Sequence, residues 1–265
     1  MPNFMKQQKI TLAIILFCFT AFGQVNIKEL SKSLAKVTET LYASECEVSN
    51  NQYATFLNAL KKANKTDLLT IAQIDTLQWR DKQNYNDPYT TYYHKHTAYK
   101  GYPAVNISHK GAMLYCEWLT SEYNSNPKRK FKKVVFRLPT EKEWILAAQG
   151  GDNTAIYSWT EKEFRNKKGQ LMANFKRADG DTMGVAGESN DNADITAPVY
   201  SYWPNKFGIY CMSGNVAEMV IDPTFVKGGS WAQKSEFLRI DNKENSDGSP
   251  KSHLGFRPFV DIIEK

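Results

Sequence analysis

The sequence predicts an α+β domain with few and short regular elements and much irregular backbone. Three observations carry this: three apolar stripes of helical spacing opened by capping residues, short apolar runs set among Gly, Asn, Asp and Pro, and a composition 42% hydrophobic and 13% aromatic, enough to bury a core. The 265 residues admit one large domain or two small ones, and no repeat or Pro/Ser linker cuts the chain. Thirty-four Lys+Arg against 28 Asp+Glu give a formal net charge of +6, too small an excess to argue for nucleic acid. Disorder, collagen and coiled coil are excluded as overall descriptions.

At the N-terminus, Lys6 and Lys9 precede an apolar run from Ile10 to Phe19, broken only by Thr11, and Ala21-Phe22-Gly23 follows as a small-residue site. This predicts a signal peptide over residues 1–23, cleaved after Gly23, and a mature protein that is periplasmic or extracellular. The run falls well short of the ~20 apolar residues of a membrane span. Phe17 before Cys18 is not the small residue that a lipoprotein signal needs.

The first helix opens at Ser49-Asn50-Asn51-Gln52, a capping-box pattern, and carries Tyr53, Phe56, Leu57 and Leu60 on one face. Ser108 caps a second, with Ala112, Tyr115, Cys116 and Leu119 on its apolar side. Thr140-Glu141-Lys142-Glu143 opens a third, followed by Trp144, Ala147 and Ala148. Val134-Val135-Phe136 and Ala197-Pro198-Val199 read as short strands. The polar segment from Met172 to Asp194 is long for a structureless loop, and a bound hard cation would organise it, as against a plain solvated loop. Cys46, Cys116 and Cys211 show no C-x-x-C spacing, so they read as small buried apolar residues, with at most one internal disulfide among them.

Several strings then converge on one family. Phe136-Arg137-Leu138-Pro139-Thr140-Glu141-Lys142-Glu143-Trp144 resembles its RLPTEAEWE motif, and Gly208 to Met219 resembles GLYDMxGNVWEW. Lys227-Gly228-Gly229-Ser230-Trp231 resembles RGGSW, and Leu254-Gly255-Phe256-Arg257 the closing GFR. Glu47 to Tyr53 is similar to EVTNxQY, and Tyr102 to Ser108 to YPVVNVS. The chain thus resembles the formylglycine-generating enzyme (sulfatase-modifying factor) superfamily over a domain of residues 42–262, with residues 24–41 as an N-terminal lead-in. The resemblance implies that family's C-type-lectin-like α+β fold.

Its activities have to be tested residue by residue. The oxidase members hold copper with two cysteine thiolates placed after the GGS motif; aligned on Gly228-Gly229-Ser230, those positions are Gln233 and Leu238. Soft Cu(I) needs sulfur, so both ligands are missing and Ser230 is left without a metal partner. The iron-dependent branch takes histidines from an added helical domain. The only clustered histidines here, His94 and His96, would share a face if they lay on a strand. The family's structural calcium carries over onto Asn174, the Phe175 carbonyl, Asp191 and the Ala193 carbonyl. At a second calcium site Gly214, Val216 and Glu218 remain, but Cys211 replaces a hard ligand; Glu218 also reads as a hydrogen-bonded core carboxylate.

Asp75-Thr76-Leu77-Gln78-Trp79, Asp87-Pro88-Tyr89 and Tyr93 to Tyr99 are similar to an insert of the gliding-motility lipoproteins of the GldK and GldJ type, parts of the type IX secretion machinery. This implies envelope proteins as partners, with the aromatic stretch Trp79 to Tyr102 as candidate contact surface, as against rings that simply pack a long loop. Two functions of different class follow from the sequence: a non-catalytic scaffold or binding domain with structural calcium, or a metal-dependent oxidase with a rearranged site. Gln233 and Leu238 favour the first.

Overall fold

The structure is a computed structural model and describes residues 25–80, 86–176 and 195–265. The predicted signal peptide and the positions Asp191 and Ala193 lie outside the described residues. No helix among those described is long and apolar enough to cross a membrane.

Two four-stranded sheets and a set of helices form the body. In the first sheet β1 (Leu34–Lys36), β2 (Leu41–Ser44), β8 (Phe259–Glu264) and β3 (Lys133–Arg137) lie in the order β1-β2-β8-β3, all antiparallel. In the second, β6 (Glu244–Asn245), β5 (Phe225–Lys227), β4 (Ala217–Met219) and β7 (Leu254–Gly255) lie in that order, and β4 pairs with β7 in parallel. The lead-in supplies α1 (Ile27–Lys32) and the edge strand β1, so it is built into the first sheet.

The three expected helices form where their caps place them. α2 (Asn50–Lys62) has the full capping box, Ser49 Oγ accepting from Gln52 N and Gln52 Oε1 accepting from Ser49 N. α5 (His109–Ser125) is capped by Ser108 through Gly111 N at 3.0 Å. α6 (Glu141–Gln149) carries the second box, between Thr140 and Glu143, and stops at Gly150 with φ +58°. α3 (Thr66–Ala72) and α4 (Asp87–Tyr92) are short and lack a side-chain cap bond; Asn86 and Pro88 are the start signals that α4 does carry.

The main core lies between α2, α5 and the first sheet. Tyr53, Phe56, Tyr115, Trp118 and Phe256 form one connected group of ring contacts, with centroids 5.3–6.1 Å apart. Each such ring contributes about 1.5–3 kcal/mol by leaving water. Val134-Val135-Phe136 does form strand β3, with Val134 and Phe136 inward. Ala197-Pro198-Val199 does not form a strand: Pro198 has no N–H for a ladder, and the segment is tied instead by Ala197 N to Asn215 Oδ1 and by Val199 N to Gly101 O.

Candidate functional site

The loop after β5 turns at Gly228 and Gly229, both with positive φ. A Cβ on Gly228 would stand 2.7 Å from the Met212 carbonyl, so the turn needs glycine there. This turn delivers Ser230 fully buried. Its hydroxyl donates to Gln233 Oε1 at 2.9 Å, and Gln233 Nε2 donates to Glu244 Oε2 at 2.6 Å. His253 Nε2 stands 3.5 Å from Glu244 Oε1, an electrostatic contact rather than a formed hydrogen bond. Burial would raise the Glu244 carboxyl, but His253 and Gln233 hold it below its ordinary value. An amide takes up no proton at Oε1 in this pH range, so the chain orients Ser230 without activating it. Leu238 ends a 3₁₀ turn, Ser235–Leu238, and is fully buried beside Leu171, Ala173 and Phe175. The two positions where the resemblance calls for thiolates therefore hold an amide engaged at both ends and an aliphatic side chain in an apolar cluster. They do not fit copper.

Asn174 stands where the polar segment leaves the core. Its Nδ2 donates to Ile195 O at 2.7 Å and its carbonyl accepts from Asn215 N at 2.8 Å. Its Oδ1 is buried and has no partner among the described residues. An unpaired buried acceptor costs about 1–3 kcal/mol, so this oxygen is placed for a donor or a cation. Phe175, whose carbonyl is the second expected ligand, follows directly and is also buried. Asn174 thus ties the chain near the start of the polar segment to Ile195, the residue that follows it in sequence. Gly214, with φ +92°, packs against the same point: a Cβ there would stand 2.7 Å from Asn174 O.

The second set expected for calcium is organised differently. Both oxygens of Glu218 are taken up: Oε1 accepts from Arg257 Nη2 at 2.7 Å, and Oε2 accepts from Trp144 Nε1 at 2.9 Å. Arg257, itself fully buried, donates further to Ser44 O and Tyr210 O. The carboxylate assigned to a cation beside Gly214 and Val216 is thus the anchor of a buried ion pair. Together with the Cys211 thiol, which faces the Val199 and Ser201 carbonyls, it does not fit calcium.

Glu47 was legible only as part of a motif. It is 1% exposed; Oε1 accepts from Asn215 Nδ2 at 2.9 Å, while Oε2 has no partner among the described residues. Burial pushes its carboxyl up to about 8, against the pull of Arg257, with the Glu218 charge adding to the rise. A lone carboxyl beside a fully buried arginine two hundred residues away gives no local sequence signal.

Several described rings of the aromatic stretch expected as a contact surface pack inward, while Tyr92 is exposed. Trp79 and Tyr93 are buried, and Tyr89, Tyr99 and Tyr102 pack on them. Trp79 stacks on Trp231, next to Ser230, with centroids 6.1 Å apart and planes at 23°. Nor do His94 and His96 form a pair on a strand; they follow α4 in a turn. His94 is half-buried, its Nδ1 2.9 Å from Asn50 Oδ1, and desolvation pulls its pKa down to about 3, whereas His96 is exposed and caps Ala98 N. Cys46, Cys116 and Cys211 are buried free thiols.

Residues 19–262 match the model of the family described as Sulfatase-modifying factor enzyme 1-like domain. The formylglycine-generating enzyme of Bos taurus is 26% identical over 259 residues, covering 86% of this chain and 62% of that protein. The inactive C-alpha-formylglycine-generating enzyme 2 of Bos taurus is 28% identical over 171 residues, covering 59% of this chain and 49% of that protein. The chain spans about half to three-fifths of the length of the curated relatives it matches. Among solved structures, Treponema denticola variable protein 1 superposes with a TM-score of 0.54 at 19% identity, covering 87% of this chain and 91% of that one, which shows a common fold.

Proposed function

This chain belongs to the sulfatase-modifying factor enzyme 1-like domain family, and we propose that it serves there as an exported, non-catalytic scaffold or binding domain stabilised by calcium. The observation that carries the reading is the pair Gln233 and Leu238. Restoring a copper site would require more than two missing thiols, because the Gln233 amide closes a hydrogen-bonded chain from Ser230 to Glu244 and Leu238 fills an apolar cluster. Neither side chain offers a soft ligand. Formylglycine-generating enzymes and inactive relatives match this chain at similar identity, so overall likeness does not discriminate and the local residues must.

The calcium reading rests on Asn174 Oδ1, buried and without a partner among the described residues, with Phe175, Asp191 and Ala193 as further oxygen ligands. A hard cation there would tie the polar segment to the core and supply no redox chemistry. The envelope as compartment rests on the apolar leader, and partners in the gliding or type IX secretion machinery rest on the resemblance of the aromatic insert. Trp79 of that insert is buried and stacks on Trp231, the neighbour of Ser230.

The test is oxygen consumption by the purified mature protein, loaded with Cu(I) and given a cysteine peptide of sulfatase type. The expected result is no peptide-dependent oxygen uptake and no aldehyde product; turnover abolished by Ser230→Ala would establish the oxidase alternative instead.

A further inference from the structure

We propose that a cleft between the loop following α6 and the segment Trp203–Lys206 is a binding site for a neutral saccharide. It lies apart from Ser230 and Gln233, neither of which lines it, and stands independently of the scaffold reading. Its volume is about 380 Å³, within the range of small-ligand sites.

The wall is aromatic. Tyr157 and Trp159, both half-buried, stack face to face with centroids 4.9 Å apart and planes at 12°, so each ring covers one face of the other. Trp159 Nε1 donates to Glu163 O at 3.1 Å, so the polar edge of the indole is satisfied within the loop and what remains to a ligand is ring face. Trp203, on the other lining segment, is 39% exposed, a large ring left in water where the core had room for others. Both rings pack against the apolar cluster of Leu171, Ala173, Phe175 and Leu238.

The rim is polar and charge-balanced. Asp152 and Glu161 face the field of Lys162 and Lys206, two of each sign. An anion such as a phosphate or a cationic side chain would meet no net attraction. Asp152 accepts both Thr154 N and Thr154 Oγ1 on its Oδ1, and these bonds hold the carboxyl below its ordinary value, leaving Oδ2 as an ionised acceptor for a hydroxyl. A purely apolar ligand would desolvate these groups without pairing them. A pyranose meets both demands, with a C–H face for the stacked rings and hydroxyls for the carboxylates and amides of the rim.

The experiment is calorimetric titration of the full mature protein with N,N′-diacetylchitobiose, maltose and cellobiose, alongside an uncharged tryptophan-containing tripeptide. Saturable binding of at least one disaccharide is expected, weakened about tenfold or more by Trp203→Ala, with unchanged melting because that ring is exposed. Asp152→Asn, which keeps the Thr154 bonds, is expected to weaken it as well and serves if the tryptophan variant folds poorly. No saturable binding of any of the three sugars, binding unmoved by both substitutions, or tighter binding of the tripeptide than of every sugar would each overturn the assignment.

Discussion

The residue with the sharpest consequence for stability is Glu47. Arg257 spends its hydrogen bonds on Glu218, Ser44 O and Tyr210 O, so the second buried carboxyl is left to Asn215 and keeps its proton up to about pH 8. Because the folded value is raised above that of the unfolded chain, the folded state holds the extra proton between about pH 4.5 and pH 8. The contribution of this group is complete below that window, falls across it by at most about 1.4 kcal/mol per pH unit, and levels off above it. Glu47→Gln keeps the acceptor for Asn215 and removes the titration. Its stability relative to the parent is expected to rise steadily from pH 5 to pH 8 in urea unfolding; parallel curves would refute the assignment. Asn174 makes the other prediction at this scale. Asp191→Ala should lower the melting temperature in calcium and remove the stabilisation that calcium gives, whereas an unchanged calcium response would sink the first-site set.

Among the elements, local chemistry was readable and long-range chemistry was not. Both capping boxes lie within four consecutive residues, so Ser49 and Thr140 could be assigned from the chain alone. Ser49→Ala should cost about 1 kcal/mol, seen as a fall in melting temperature of roughly 2–4 °C; no shift would mean that the tertiary contacts of α2 hold its first turn without the cap. The conformations of Ala197-Pro198-Val199 and of the His94 turn are not legible locally, because they are set by Asn215, Gly101 and Asn50, partners 18 to 98 residues distant in the chain. The burial of Trp79 has the same origin, since Trp231 lies far along the chain and nothing near Trp79 announces it. The α+β class and the loop-rich character were legible from short apolar runs. The pairing of β4 with β7 in parallel was not, because strands of two or three residues carry no period.

For the whole molecule, the family motifs were legible because they are contiguous, and the two substituted positions stood out against them. What the sequence could not show is how those positions are filled. Gln233 is held from both sides and Leu238 is buried in an apolar cluster, so both positions are committed to the fold. On that ground, Gln233→Cys combined with Leu238→Cys is expected to destabilise the fold, lowering the melting temperature by several degrees through a broken polar chain and an underfilled cluster. A double variant as stable as the parent would show the loop to be less committed than its contacts imply.

The central claim is that the domain has exchanged copper chemistry for a calcium-stabilised binding body, and the metal content of the mature protein tests it most directly. Purified from its own envelope without chelator and measured by elemental mass spectrometry, it should contain close to one calcium per chain and only trace copper and iron. Stoichiometric copper or iron would contradict the account and place a catalytic metal where Gln233 and Leu238 now stand, or at a site built from other residues.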